Sequence, residues 1–319
     1  MKDDLKVGVV GTGALGTHHA RVFASVPGSR LAAVLDHDPA KATSVGAPFG
    51  AETAETLEEF ADRIDAAVVA VPTLAHFEVA AALIDRGKHV LVEKPITTTV
   101  EDAERLVDLA RKRGVVLQVG HVERFNPAAE ALAQVGAARF VEVHRISPFP
   151  NRSLDIDVIL DLMIHDLDLL VALDKSRPVQ IDAVGVAVLT DQVDIANVRI
   201  RFESGLIANL TASRVSMEKI RKFRVFGSRL YASCDFLARQ AQVARLIVSD
   251  AGAPEIKLES IGGGAKDPQG EPLLRQAAAF VRSVREGGDP VVSGRDGLEV
   301  LRMAKEIIEK MRVGLTGSG

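Results

Sequence analysis

Gly11-Thr12-Gly13-Ala14-Leu15-Gly16 decides the fold of this 319-residue chain. The run follows an apolar stretch, Leu5-Lys6-Val7-Gly8-Val9-Val10, and opens a helix-like one over 14–26. Asp36 stands about twenty residues beyond Gly16, closing a second apolar run, Leu31-Ala32-Ala33-Val34-Leu35. Three spaced glycines alone are weak evidence. Between a strand and a helix, with an acid at that distance, they form a dinucleotide-binding fingerprint. Gly11 permits a tight turn, Gly13 lets the backbone approach a pyrophosphate, and Gly16 lets the helix pack closely on the strand. Thr12, Ala14 and Leu15 complete the cradle, where free N–H groups and the positive helix end meet phosphate. Asp36 is expected to accept hydrogen bonds from the adenosine ribose and to repel a 2′-phosphate. Its neighbours are His37 and Asp38 rather than arginine, which favours NAD over NADP.

Outward from this run, the first 120 residues alternate strand and helix signals. Apolar runs at 7–10, 31–35, 66–71, 89–92 and 115–119 are separated by amphipathic stretches such as 74–86 and Val100–Arg113. That alternation predicts a parallel sheet covered by helices on both faces. Beyond Gly120 strands dominate. Ile195–Phe202 and 206–214 flank Glu203-Ser204-Gly205, and 222–226 and 230–233 flank Gly227-Ser228-Arg229; both read as antiparallel hairpins. One helix, 156–173, interrupts them, 262–270 reads as a loop, and helices over 273–285 and 296–312 close the chain. The expected organisation is an α/β dinucleotide-binding domain over 1–121 and a mostly antiparallel α/β domain over 122–319.

A net charge of -4 argues against nucleic acid as a partner, which requires a basic surface. The single cysteine, Cys234, allows no intrachain disulfide and fits a reducing compartment. No apolar run approaches the ~20 residues that span a bilayer. Met1-Lys2-Asp3-Asp4 leads straight into the first strand, so the expectation is a cytoplasmic enzyme away from membranes. No metal is expected. His18 and His19 are adjacent and cannot share a helix face. Asp161, His165, Asp166 and Asp168 imitate a ligand cluster, but a nicotinamide enzyme needs none.

Polar groups gather where strands end. Glu93-Lys94-Pro95 closes the strand 89–92, and binding crevices of open parallel sheets lie at such carboxyl ends. Taken alone, a lysine there is an ordinary surface residue; in a crevice it can do acid–base work. Val71-Pro72-Thr73, with His76, ends another strand, and these four residues are expected with Glu93, Lys94 and Pro95 to line the cofactor crevice. Gly120-His121-Val122-Glu123-Arg124-Phe125-Asn126-Pro127 ends a third. Asp161 and His165 stand four residues apart on an otherwise apolar helix, facing one way. A carboxylate-oriented imidazole suits proton transfer, although a plain helix-stabilising pair has the same spacing.

Together these motifs resemble the Gfo/Idh/MocA oxidoreductases along nearly the whole chain. The matching pieces are Gly11–Gly16, Asp36, Val71-Pro72-Thr73 with His76, Glu93-Lys94-Pro95, the Asp161/His165 pair, and Ser293-Gly294-Arg295-Asp296-Gly297. The resemblance implies an N-terminal Rossmann domain, a C-terminal domain with a large open sheet, and a homodimer or homotetramer assembled through that sheet. It implies NAD-dependent oxidation or reduction of a hydroxyl on a sugar or cyclitol. Lys94 and His165 become the acid–base candidates, with Asp161 orienting imidazole or substrate, and which of the two removes the proton stays open. It also implies a cis Lys94–Pro95 bond. The stretches 120–127, 147–150 and 160–166 further resemble the branch that oxidises C3 of UDP-N-acetylglucosamine, whose 3-keto product an aminotransferase aminates for lipid A. On that resemblance Lys94, His121, Arg124, Arg152, Asp161 and His165 are substrate-binding candidates. Arg145, Arg152 and the loop 262–270 are candidates for the diphosphate, each read equally well as solvated charge or plain loop. The alternatives are an inositol or free-sugar dehydrogenase, and a non-catalytic NAD-binding regulator.

Overall fold

The computed structural model describes residues 3–149, 156–248 and 254–316. Six parallel strands form the first sheet: β1 (Leu5–Val10), β2 (Ser29–Leu35), β3 (Glu52–Thr53), β4 (Ala66–Val69), β5 (His89–Glu93) and β6 (Leu117–Gly120). Their order is β3-β2-β1-β4-β5-β6. The chain thus leaves β1 in one direction and later resumes on its other side at β4, and such a switch point opens a crevice at the strand ends. The helices α1 (Ala14–Phe23), α2 (Pro39–Gly46), α3 (Leu57–Asp62), α4 (His76–Asp85) and α5 (Val100–Arg113) connect the strands. All of β4 is buried, as a sheet covered on both faces requires. Helix α5 shows why its ends fall where they do. Thr99 caps it by accepting from the Asp102 N–H, Glu101 and Asp102 occupy the first turn, and Arg111, Lys112 and Arg113 the last. Gly114, at φ 67°, ends it in the left-handed region.

Eight strands form the second sheet: β7 (Ala138–Ile146), β8 (Pro178–Val186), β9 (Ile195–Phe202), β10 (Ile207–Ser213), β11 (Ile220–Gly227), β12 (Leu230–Asp235), β13 (Gln240–Ile247) and β14 (Glu255–Ile261). The order is β14-β13-β12-β11-β7-β10-β9-β8. Every pairing is antiparallel except β7 with β10. Alternate residues of β9 are buried, the signature of a sheet with one packed face. Both expected hairpins form. The remaining α-helices are α6 (Ile164–Leu173), α7 (Pro272–Glu286) and α8 (Gly294–Thr316).

The chain divides into two compact units, residues 1–122 with 272–301, and residues 123–271 with 302–319. The sequence places everything after residue 121 in one domain; the structure returns 272–301 to the first unit. The reason is packing. Ala277, Phe280 and Val281 of α7 join Val7, Val9, Phe23, Val34 and Leu91 in one buried cluster, with Phe280 edge-on to Phe23 at 6.1 Å between ring centres. None of the described helices is long and apolar enough to cross a membrane.

Candidate active site

The three glycines take three separate roles. Gly11 has φ +87° and a Cβ there would stand 2.6 Å from the Ala70 carbonyl oxygen, so no other residue fits. A Cβ on Gly16 would reach 1.8 Å from the Gly11 oxygen, so α1 lies against the strand-end turn. Around Gly13 there is open space, and Gly13 begins α1 without any side-chain cap. The first N–H groups of α1 therefore face outward with room for an anion. Asp36 closes the cradle. Its Oδ2 accepts from the Thr12 N–H at 2.6 Å and the Thr12 hydroxyl at 2.9 Å. Its Oδ1 accepts from the Asp38 N–H at 3.1 Å and lies 2.7 Å from His37 Nδ1. Burial alone would raise its pKa; the Thr12 and Asp38 hydrogen bonds, aided by His37, outweigh it and hold the carboxyl below its ordinary value. Asp36 is thus an oriented anion at the end of β2, suited to ribose hydroxyls and hostile to a phosphate. Asp36→Ala is expected to raise the NAD dissociation constant ~10–100-fold, the worth of a hydrogen bond to a charged group, and calorimetric titration with NAD checks it.

His76 begins α4 and is 1% exposed. Its Nδ1 lies 2.8 Å from the Pro95 carbonyl oxygen and its Nε2 3.0 Å from that of Val71. The ring joins the segments that follow β4 and β5. Burial pushes its pKa below the histidine value, against the carbonyls and Glu93. A folded pKa below the unfolded one makes protonation favour unfolding. Stability from this group is full above about pH 6.5 and falls as pH drops through that value, by at most about 1.4 kcal/mol per pH unit. His89 shifts the same way through burial. Urea unfolding at about pH 7.5 and about pH 5.5 should show this loss, with a shallower pH slope for His76→Gln; equal slopes would remove His76 from the account.

Glu93, Lys94 and Pro95 follow directly at the end of β5. The Lys94–Pro95 peptide is cis, as the resemblance implies. Glu93 is buried, with Oε1 2.6 Å from His19 Nε2 and Oε2 accepting the Lys94 N–H at 3.2 Å. Lys94 itself is half-buried, and His121 is buried just past β6.

In the second unit, the sequence predicts a regular helix over 156–173. The structure starts it later, with a π-helical turn, Ile159–Met163, that runs into α6. Asp157 sets the start: its Oδ1 accepts the N–H groups of Ile159 and Leu160, both at 3.0 Å. The buried Arg214 donates to the Ile156 carbonyl at 2.7 Å and to Asp194 Oδ1 at 2.7 Å. Asp194 also accepts the N–H groups of Val188, Leu189 and Thr190. Asp161 lies in the π turn, buried, and His165 follows on α6, half-buried. π turns concentrate at functional sites.

Two arginines grip the same helix. Arg124 donates from Nε to Asp168 Oδ2 at 3.0 Å and from Nη2 to Oδ1 at 2.6 Å. Arg145 donates from Nε and Nη2 to the two Asp166 oxygens, both at 2.8 Å, and from Nη1 to Glu123 Oε1 at 3.0 Å. Arg221 reaches the same Glu123 oxygen at 3.1 Å. Burial raises the Asp166 pKa, with Arg145 opposing it. Burial works against the Arg145 cation, but Asp166 and Glu123 more than offset it and raise its pKa. Arg145, a diphosphate candidate, has its guanidinium engaged by Asp166 and Glu123, and Arg124, a substrate-binding candidate, by Asp168; both arginines thereby brace the helix that carries Asp166 and Asp168. In the loop 262–270, Asp267 accepts the Gln269 N–H, an ordinary turn. Arg152 lies outside the described residues. Among the described residues no group of three or more His, Cys, Asp or Glu could hold a metal. Glu123, Asp166, Asp168, Asp194 and Arg214 are the structural residues that sequence reasoning missed as a set. For Asp166 and Asp168 the available signal was the acid content of an apolar helix.

Comparison with known proteins agrees with this geometry. Residues 5–121 match the family described as "Oxidoreductase family, NAD-binding Rossmann fold", and residues 133–232 match the "GFO/IDH/MocA C-terminal domain". The chain is 37% identical over 306 residues to UDP-N-acetylglucosamine 3-dehydrogenase of Acidithiobacillus ferrooxidans, covering 95% of this chain and 96% of that protein. It is 26% identical over 335 residues to myo-inositol 2-dehydrogenase of Thermotoga maritima, covering 97% of each. A solved structure of the Acidithiobacillus ferrooxidans enzyme superposes with a TM-score of 0.89 at 36% identity, covering 97% and 98% of the two chains. A levoglucosan dehydrogenase solved with NADH and levoglucosan shares the fold, with a TM-score of 0.85 at 20% identity over 97% and 98%. The open cradle at Gly13 and the oriented Asp36 fit the NAD that this fold binds.

Proposed function

Because the chain belongs to the Gfo/Idh/MocA oxidoreductase family, we propose that it oxidises a ring hydroxyl of a nucleotide sugar, at C3 of UDP-N-acetylglucosamine. The observation that carries this reading is the full-length likeness to an enzyme of that name. Bound NAD supplies the hydride acceptor. The residues of the chain do the rest. The start of α1 receives the pyrophosphate, and Asp36 orients the adenosine ribose. Lys94, at the carboxyl end of β5, and His165, on α6 behind Asp161, are the groups that hold or move the hydroxyl proton. Arg124 and Arg145 keep the His165 helix in place through Asp168 and Asp166. Assembly through the second sheet and supply of the 3-keto product to an aminotransferase belong to the same reading.

A second reading, oxidation of a free cyclitol, draws support from the likeness to myo-inositol 2-dehydrogenase. A panel of UDP-N-acetylglucosamine, other UDP-sugars, N-acetylglucosamine and myo-inositol separates the two. NADH formation with UDP-N-acetylglucosamine should exceed that with the free compounds by at least about 100-fold in kcat/KM, since buried polar contacts to the nucleotide discriminate strongly. Preference for myo-inositol selects the second reading. NAD binding with no turnover across the panel points to a regulator.

A further inference from the structure

His19 has no part in the chemistry described above, yet it is among the most enclosed polar side chains of the first unit, 1% exposed. It lies on α1, three residues beyond Gly16, and its Nε2 stands 2.6 Å from Glu93 Oε1. Burial alone would raise the Glu93 pKa; the His19 contact, the Lys94 N–H and the Lys94 charge outweigh it and hold the carboxyl below its ordinary value. With Glu93 ionised, its oxygens only accept, so His19 Nε2 is the donor in this contact. The ring's Nδ1 is buried with no hydrogen-bond partner among the described residues, where the Glu93 contact is what holds the imidazole by hydrogen bonding.

The other half of the carboxylate points at the lysine. Glu93 Oε2 accepts the backbone N–H of Lys94 at 3.2 Å. Gly120 pairs with Glu93 across β5 and β6, and a Cβ at Gly120 would stand 2.8 Å from Oε2. Glycine at this position therefore leaves the space that the carboxylate fills. Packing alone does not call for this arrangement. A buried charge, a donor on one oxygen, a peptide N–H on the other and a glycine cleared opposite form a mount for one peptide plane.

We propose that His19 is a positioning residue. Acting through Glu93, it orients the Lys94 peptide and ties the helix that receives the pyrophosphate to the lysine at the end of β5. The proposal rests on the reading that Lys94 belongs to the acid–base machinery.

The decisive variants are His19→Leu, which fills the space without a donor, and His19→Gln, which restores an N–H near Nε2. His19→Leu should lower kcat at least about tenfold while leaving the sugar KM and the NAD dissociation constant within about threefold, because misplacing a reacting group costs rate more than binding. His19→Gln should recover most of that loss. Independently of turnover, hydrogen exchange of the Lys94 amide should accelerate about tenfold in His19→Leu and stay near wild type in His19→Gln. Unchanged kcat and unchanged exchange in His19→Leu overturn the proposal, as does equal impairment of both variants in the folded state. Should the His19 variants fail to fold, Gly120→Ala crowds the same carboxylate from the opposite side; it must reproduce the faster exchange, and failure to do so overturns the proposal. A wild-type protein that turns over no sugar on the panel defeats the functional reading instead, and amide exchange still decides the role of His19.

Discussion

Lys94→Ala is expected to lower kcat about a thousandfold while leaving the NAD dissociation constant within about threefold of wild type. Positioned acid–base groups contribute roughly 10²–10⁴-fold, and Lys94 follows Glu93, the last residue of β5, at the carboxyl end where an open parallel sheet receives its ligands. On the proposed reading NAD affinity rests mainly on the open turn at Gly13 and the carboxylate of Asp36. The alanine variant should therefore separate chemistry from cofactor binding. Steady-state NADH formation and calorimetric titration with NAD measure the two sides. Activity equal to wild type removes Lys94 from the chemistry and leaves His165 as the proton acceptor. Parallel loss of NAD affinity would instead make Lys94 a cofactor ligand. The same pair of measurements on His165→Ala ranks the two candidates.

The second large effect lies in the other unit. Arg145→Met should destabilise the fold by about 3–5 kcal/mol, because removing one partner leaves buried charge uncompensated. Arg145 is 2% exposed and donates to both oxygens of Asp166 and to Glu123. Glu123 retains Asn126 and Arg221 as donors, so Asp166 suffers most. In a protein of this size such a loss lowers the melting temperature by about 10 °C. The pH dependence has a definite sign. Burial already raises the Asp166 pKa against Arg145, and without Arg145 it rises further above the unfolded value. Stability of the variant is then retained at acidic pH, where Asp166 is neutral, and lost as pH rises through the folded pKa. Melting curves at about pH 5 and about pH 7.5 should diverge more in the variant than in wild type. Adding Asp166→Leu should recover part of the loss, since an apolar replacement of a buried pair costs little. A melting temperature unchanged in Arg145→Met would show that water reaches Asp166.

The cofactor half of the site was legible in the sequence because its rules are local. A turn that admits only glycine, a helix start without a side-chain cap and an acid one strand later each occupy a few consecutive residues. The spacing of Asp161 and His165 was visible in the sequence, but the π turn that carries Asp161 was not. That turn depends on Asp157 and on Arg214, which reaches Ile156 from a distant strand end. The arginine pairs were illegible for the same reason. Arg145 and Asp166 stand 21 residues apart on different elements, and only the fold shows that each neutralises the other. His19 was visible as one of two adjacent histidines, and nothing nearby announces that Glu93, 74 residues away, is its partner.

The return of residues 272–301 to the first unit bears on how the protein is made. The N-terminal segment leaves the ribosome at about 5–20 residues per second, with its sheet complete by Gly120. The core over α1 then waits for Ala277, Phe280 and Val281, and all of residues 123–271 must be synthesised first. During that interval Phe23 and its neighbours lack their cover, so the nascent first unit is an expected client for chaperones. A fragment ending at residue 121 should inherit the same exposed surface permanently, whereas one that joins residues 1–122 to 272–301 by a short linker should stay monomeric and bind NAD.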